Sequence, residues 1–119
     1  MSDEFLKLAT TEINDELFVI SSILNSCHVP LDISANALKI QKSTHKIKGL
    51  APMMGKGELG ILSSLLDSML KKLTADTITD EIFESIILSI DSMKNSMIDS
   101  NFDLSKIKQR ISQLSSSID

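Results

Sequence analysis

Apolar residues recur every three or four positions along most of the chain, and this spacing constrains the fold more than any other feature. The repeat places apolar side chains on one face of an α-helix. No convincing run alternates apolar and polar residues as a strand does. The chain has no Trp, no Tyr and only four Phe, so aliphatic side chains and methionine must fill the core. We therefore predict an all-α protein.

Five segments carry this repeat, and we predict one helix for each. The predicted helices span about residues 3–25, 33–55, 58–73, 80–97 and 103–117. Their apolar stripes are, in order, Leu6, Ala9, Ile13, Leu17, Ile20 and Leu24; Ile33, Ala37, Ile40, Thr44, Ile47, Ala51 and Met54; Leu59, Leu62, Leu66, Met69 and Leu73, widened by Ile61, Leu65 and Leu70; Phe83, Ile86, Ile90, Met93 and Met97; and Leu104, Ile107, Ile111, Leu114 and Ile118.

The helix ends carry recognisable capping and breaking residues. The expected N-caps are Ser2 or Asp3, then Asp32 or Ser34, then Thr79 or Asp80. Pro52 lacks an amide hydrogen, so we expect it to loosen the last turn of the second helix.

Short connections between the first four segments favour an antiparallel up-and-down four-helix bundle over residues 3–99. A fifth helix would pack last and loosely, and residues 1–119 would form one domain. We expect Met53 and Met54 to fill gaps in the core. Glu12, Asn14 and Glu16 are expected to face water.

Composition excludes several classes of protein. A single cysteine, Cys27, cannot form an intramolecular disulfide, and the N-terminal sequence does not resemble a signal peptide. No uninterrupted apolar run is long enough for a membrane span. We expect a cytoplasmic protein in which Cys27 acts as a small hydrophobe and His28 is an ordinary surface residue.

His45 occupies an unusual position in the second helix. It lies one residue off the apolar stripe and so about 100° from it, at the edge of the buried face. Lys48 and Gly49 follow at i+3 and i+4 on the same face. A glycine inside a helix costs roughly 1 kcal/mol relative to alanine. Its absent side chain would let another protein approach the imidazole closely.

Positive charge surrounds this histidine. No acidic residue occurs between Asp32 and Glu58, although the whole chain carries a net charge of −4. The lysines of this interval are Lys39, Lys42, Lys46, Lys48 and Lys56. Such a surface would stabilise an added phosphoryl group and attract an acidic partner. We therefore interpret His45 as a phosphorylation site.

The run HKIKGLAPMMG, with His-x-x-Lys-Gly and a second glycine ten residues after the histidine, resembles the histidine phosphotransfer (HPt) domains of two-component signalling. It is most similar to the chemotaxis branch of this family, the N-terminal HPt domains of CheA-type kinases. The resemblance extends from about Glu4 to Asp99 through the order and spacing of the predicted helices. Small residues are usual in that family where this chain has Pro52.

The resemblance implies a phosphocarrier without an autonomous catalytic site. His45 would accept a phosphoryl group on Nε2 from the ATP-binding domain of a histidine kinase and pass it to a receiver aspartate. Lys48 would balance the added charge, Gly49 would leave access, and Lys42, Lys46 and Lys56 would serve docking. ATP and Mg²⁺ would be bound by partner domains, leaving this chain without cofactor, metal, nucleic acid or membrane partner, and we expect a monomer.

Two positions of the third helix depart from the chemotaxis pattern. Asp67 stands where that branch has a glutamate that holds the imidazole, and Ser64 stands where it has a second histidine. Aspartate is one methylene shorter, so Asp67 is expected to reach His45 directly or through a water molecule. It would favour the tautomer protonated on Nδ1. The competing interpretation is an exposed acid that pairs only with Lys71 at i+4.

Other interpretations of the chain stay open. A helical interaction module without phosphotransfer would explain the apolar stripes equally well, but not the combination of His45, Lys48 and Gly49. An autonomous enzyme would need further catalytic groups around the histidine. Gly55, Lys56, Gly57 and Gly60 do not form a P-loop, because the preceding strand and the Gly-Lys-Ser/Thr ending are missing.

Overall fold

The described part of the chain consists of α-helices joined by short connections. The computed structural model describes residues 2–118, so Met1 and Asp119, the two ends of the expected domain, lie outside the described residues. Within that range there are five α-helices and no strand. They are α1 (Asp3–Asn25), α2 (Pro30–Leu50), α3 (Gly57–Lys72), α4 (Asp80–Ile98) and α5 (Ser105–Ser116). The prediction of an all-α protein is confirmed.

Two of the predicted N-caps form as expected. The Ser2 side chain accepts a hydrogen bond from the Phe5 amide at 3.0 Å and starts α1. The Thr79 side chain accepts one from the Ile82 amide at 3.1 Å and starts α4. Each hydroxyl satisfies a backbone donor that has no partner within the helix.

The second helix begins earlier than predicted. Pro30 occupies its first turn, where the missing amide hydrogen costs nothing and the fixed φ angle suits a helix. Asp32 therefore lies inside α2, and its carboxylate accepts from the backbone amides of His28 and Val29 at 2.8 and 3.2 Å. These two hydrogen bonds lower the pKa of Asp32.

The second helix also ends before the proline that was expected to loosen it. Its last residue is Leu50, and the Ala51 amide still donates to the Ile47 carbonyl at 2.9 Å. A short 3₁₀ turn, Pro52–Met54, follows, and Gly55 then adopts a left-handed conformation with φ 77°. The turn around His45 is consequently regular, and Pro52 lies in the connection to α3.

The predicted stripes form the core, with three corrections. Ala9, Ile13, Ile20, Ile33, Ile40, Ile47, Leu62, Leu66, Ile86 and Ile90 are among its buried members. Met54 is buried, but Met53 is 58% exposed because the turn after α2 directs it outward, and Ile61 also faces solvent. Glu16 is buried rather than solvated, because Ser43 and Lys46 of α2 bind its carboxylate.

The helices pack in a closed order around this core. α2 packs against α1 and α3, α1 also packs against α4, and α5 packs against both α3 and α4. The fifth helix is not loosely attached, since Leu104, Ile107, Ile111 and Ile118 are buried. No helix within residues 2–118 has the combined length and apolar character that crossing a bilayer requires.

We predict that alanine has opposite effects on stability at Gly49 and Gly60, two helical glycines on either side of the connection between α2 and α3. A methyl group at Gly60 would lie 2.9 Å from Pro52 Cγ, whereas one at Gly49 would have no atom within 4 Å. Gly60→Ala should lower the free energy of unfolding by about 1 kcal/mol, because the clash exceeds the gain in helix propensity. Gly49→Ala should raise it by about 1 kcal/mol. Urea unfolding measures both, and equal effects would contradict the Pro52–Gly60 contact.

Candidate functional site

His45 lies on α2 with its side chain directed away from the core. The imidazole is 64% exposed, while Thr44 beside it is fully buried. This is the edge position that the one-residue offset from the apolar stripe indicates. A partner molecule therefore has access to the ring.

Asp67 of α3 lies beside His45 but is almost completely buried. Its side chain is only 2% exposed, and one oxygen, Oδ1, lies 3.8 Å from His45 Nδ1. The interpretation of Asp67 as an exposed acid is therefore wrong. Its expected pairing with Lys71 does occur, at 3.4 Å from Lys71 Nζ to Oδ2. Both proposed partners of Asp67 thus meet at one carboxylate.

Two further side chains of α2 complete the surroundings of this carboxylate. Gln41 donates a hydrogen bond from Nε2 to Oδ1 at 2.9 Å. Lys48 places Nζ 3.8 Å from Oδ2. Oδ1 therefore faces the amide and the imidazole, and Oδ2 faces the two lysines. We call Gln41, His45, Lys48, Asp67 and Lys71 the Asp67 cluster.

These contacts determine the charge of Asp67. Burial alone raises the pKa of a carboxyl group, because it penalises the ionised form. Here the hydrogen bond from Gln41 and the positive charges of Lys71 and Lys48 outweigh that effect, so the pKa of Asp67 is lower than usual. Asp67 is therefore a carboxylate at neutral pH.

The geometry distinguishes the two ring nitrogens of His45. Nδ1 is the nitrogen within 4 Å of the carboxylate. A separation of 3.8 Å is too long for a direct hydrogen bond, but a shift of about 1 Å in the exposed ring would form one. A carboxylate beside Nδ1 favours the tautomer that carries its proton on Nδ1 and a lone pair on Nε2.

The remaining predicted site residues lie in different surroundings. Gly49 is exposed one turn after His45, and open space lies where its side chain would be. Lys42 is exposed, Lys46 pairs with Glu16 at 3.3 Å, and Lys56 is anchored to the Ser96 carbonyl of α4 at 3.1 Å. The structure therefore brings Lys48, but not Lys56, to the Asp67 carboxylate that faces the histidine.

Ser64 lies one turn before Asp67 and is half-buried. Within residues 2–118 it makes no hydrogen bond to His45 or Asp67, so the cluster forms without it.

Gln41 was not predicted as a site residue, although it precedes His45 by four positions and must lie on the same face of the helix. The contact between Glu16 and Ser43 was also not predicted. Glu16 lies in a polar stretch of α1, and nothing in that stretch indicates that Ser43 and Lys46 of α2 will bury its carboxylate.

Exposed apolar side chains continue the surface on which His45 lies. Leu38 and Leu31 precede it by seven and fourteen positions and are 69% and 56% exposed. A spacing of seven keeps residues on nearly the same side of a helix. The histidine therefore stands at one end of a partly apolar strip on α2.

No group of three or more His, Cys, Asp or Glu side chains within the described range is placed to hold a metal ion. Comparison of the chain with protein-family models, curated proteins and solved structures gives no match. The geometry of the Asp67 cluster and the sequence pattern around it are therefore the features from which a function can be inferred.

The low pKa of Asp67 predicts a specific dependence of stability on pH. Asp67→Asn should lower the free energy of unfolding by about 1 kcal/mol at neutral pH, because the amide loses its attraction to two lysines. A carboxylate with a depressed pKa stabilises the folded state fully above about pH 4, and that contribution is lost as the pH falls through its folded pKa. The difference between wild type and Asp67→Asn should thus persist from neutral pH to about pH 4 and shrink as the pH falls further.

Chemical denaturation across this pH range measures the difference. Asp15→Asn, on the exposed side of α1, is the matched control and should track the wild type. A difference for Asp67→Asn that stays constant from neutral pH into strong acid would show that the charge of Asp67 does not stabilise the fold.

Proposed function

We propose that this chain is a histidine phosphotransfer domain. His45 would accept a phosphoryl group from the ATP-binding domain of a histidine kinase and pass it to an aspartate of a response-regulator receiver. The observation that carries the proposal is the position of His45, exposed to solvent while Nδ1 faces a buried, ionised carboxylate. The similarity of HKIKGLAPMMG to the HPt pattern supports the same conclusion.

This arrangement would support phosphorylation of His45 in the following way. The lone pair on Nε2 attacks the γ-phosphorus of ATP on the kinase, so an N–P bond forms while the P–O bond to ADP breaks. The imidazole retains its proton on Nδ1 and becomes positively charged as the bond forms. Asp67, 3.8 Å from Nδ1, stabilises that positive charge and favours the reactive tautomer.

The second transfer restores the histidine. A carboxylate oxygen of the receiver aspartate attacks the phosphorus, forming an O–P bond as the N–P bond breaks. The neutral ring of His45 is the leaving group, and its Nδ1 proton stays beside Asp67. No side chain of this protein has to donate or accept a proton during either step.

The surroundings of His45 suit such a transfer. Lys48 is half-buried, and its ammonium group lies 3.8 Å from Asp67 Oδ2, on the carboxylate that also faces the ring. From there it would offset the negative charge of the phosphoryl group. Lys42 adds exposed positive charge toward an acidic partner. Gly49 leaves open space next to the imidazole, so a partner's active site can approach it.

We extend the proposal to finer points that the resemblance implies. The helix contacts suit an antiparallel up-and-down bundle of α1–α4 to which α5 is added. The chain would act in chemotaxis-type signalling in the cytoplasm, as part of a CheA-like kinase, with ATP and Mg²⁺ held by partner domains. It would work as a monomer and without nucleic acid or membrane.

A helical interaction module without phosphotransfer is the second candidate. The observation that favours it is the exposed pair Leu31 and Leu38, which could dock a partner whether or not His45 is phosphorylated. The same leucines could equally contact a kinase or receiver next to the histidine. Phosphorylation of His45 separates the two candidates.

We predict that His45→Gln abolishes phosphorylation by a chemotaxis-type histidine kinase core and radiolabelled ATP. The label on the wild type should be acid-labile and base-stable, as a phosphorus–nitrogen bond requires. The melting temperature should change little, because an exposed side chain contributes little to the core. His28→Gln is the matched control, since His28 is the other histidine and is exposed outside the cluster. Labelling of His45→Gln to the extent of the control would place the site elsewhere.

We also predict that Lys48→Ala slows transfer from phosphorylated His45 to a receiver by roughly tenfold at low salt, because it removes a charge beside the phosphoryl group. The defect should shrink as salt screens the remaining long-range attraction between the partners. Stopped-flow measurement of the transfer rate at several ionic strengths tests this prediction. Lys106→Ala, an exposed charge on α5, is the control. Wild-type transfer by Lys48→Ala at every salt concentration would remove Lys48 from the site.

A further inference from the structure

Gln41 makes the shortest contact to the carboxylate in the Asp67 cluster. Its amide donates to Oδ1 of Asp67 at 2.9 Å, and this is the same oxygen that lies 3.8 Å from His45 Nδ1. Gln41 is half-buried on α2, one turn before the histidine. The amide and the imidazole therefore approach one carboxylate oxygen from the same helix.

The other oxygen of Asp67 has different partners. Lys71 and Lys48 place their ammonium groups 3.4 and 3.8 Å from Oδ2. Both lysines are partly exposed on flexible side chains, so neither fixes the carboxylate as a planar amide does. Rotation of an aspartate about χ2 is broad, and the terminal torsion alone does not select an orientation. Of these contacts, the hydrogen bond from Gln41 acts on Oδ1 itself and at the shortest distance, so it most directly sets the direction in which Oδ1 points.

We propose that Gln41 is a positioning residue that holds Asp67 Oδ1 toward His45 Nδ1 and thereby keeps Nε2 free as the acceptor nitrogen. Gln41 acts through Asp67 and does not touch the phosphoryl group. The inference rests on the proposed phosphotransfer function for its kinetic consequence. Its consequence for the imidazole tautomer is independent of that function.

The short side chain of Asp67 makes this positioning necessary. At 3.8 Å the carboxylate does not reach Nδ1 directly, so its orientation determines whether a small movement of the ring closes the distance. A glutamate at this position is one methylene longer and could reach the ring without help. The effect of removing the Gln41 amide should therefore depend on which acid occupies position 67.

The test replaces Gln41 in two backgrounds. Gln41→Met keeps the side-chain length and removes the donor, and it is made in the wild type and in Asp67→Glu. The rate of His45 phosphorylation by phosphoramidate should fall on the order of tenfold in the wild-type background and less than about twofold in Asp67→Glu. Gln109→Met, an exposed residue of α5, is the matched control and should leave the rate unchanged.

A second readout does not require phosphorylation. Nitrogen-15 NMR of the imidazole should show that Gln41→Met moves His45 from the Nδ1-protonated toward the Nε2-protonated tautomer, while Gln109→Met leaves it unchanged. Gln41→Glu, which keeps the shape and places a second acid against Asp67, should move it at least as far. If the unmutated protein takes no phosphoryl group, the proposed function fails, and the tautomer still decides the role of Gln41.

Two results would overturn the inference. One is a wild-type tautomer and a wild-type rate in both Gln41→Met and Gln41→Glu. The other is an equal loss of rate in the Asp67 and Asp67→Glu backgrounds together with a lowered melting temperature, which would make Gln41 a purely structural residue. Thermal unfolding by circular dichroism supplies that comparison.

Discussion

The candidate site depends on the interactions that hold the carboxylate of Asp67 ionised inside the protein. Taking an ionised group out of water is costly, and a buried charge persists only where neighbouring groups replace the lost hydration. Gln41, Lys48 and Lys71 do so here, and they lower the pKa of Asp67 despite its burial. Gln41 and Lys48 belong to α2, whereas Lys71 and Asp67 itself belong to α3. The contacts to this charge therefore also fix how α2 and α3 pack against each other. His45 acquires its orientation from that packing.

A second buried carboxylate secures the opposite side of the same helix. Glu16 of α1 accepts a hydrogen bond from Ser43 at 2.8 Å and pairs with Lys46 at 3.3 Å. Ser43 and Lys46 stand immediately on either side of the Thr44–His45 pair in the sequence. The segment that carries the histidine is thus held by an acid of α1 on one side and by an acid of α3 on the other. A rigid support of this kind positions an exposed side chain without enclosing it.

The sequence predicted the helices well because their apolar stripes are long and regular; the range of α1 and the Thr79 cap of α4 were correct. Errors arose where a residue has two possible roles. A proline usually interrupts a helix, but Pro30 starts α2. Met53 was expected in the core but lies in a turn that points it outward. For the site, the offset from the apolar stripe correctly placed His45 at an exposed edge. Spacing alone could not show that Asp67 is buried or that Gln41 binds it, because both depend on how closely α2 and α3 pack.

We propose that the Asp67 cluster makes His45 a better phosphoryl acceptor than an ordinary exposed histidine. The chain contains its own reference, because His28 is exposed in the connection before α2 and lies outside the cluster. The most direct measurement is phosphorus and nitrogen NMR of the protein after treatment with phosphoramidate, which identifies both the residue and the ring nitrogen that carry the phosphoryl group. We predict rapid phosphorylation of His45 on Nε2 and slower modification of His28. Equal modification of the two histidines, or attachment to Nδ1 of His45, would contradict it.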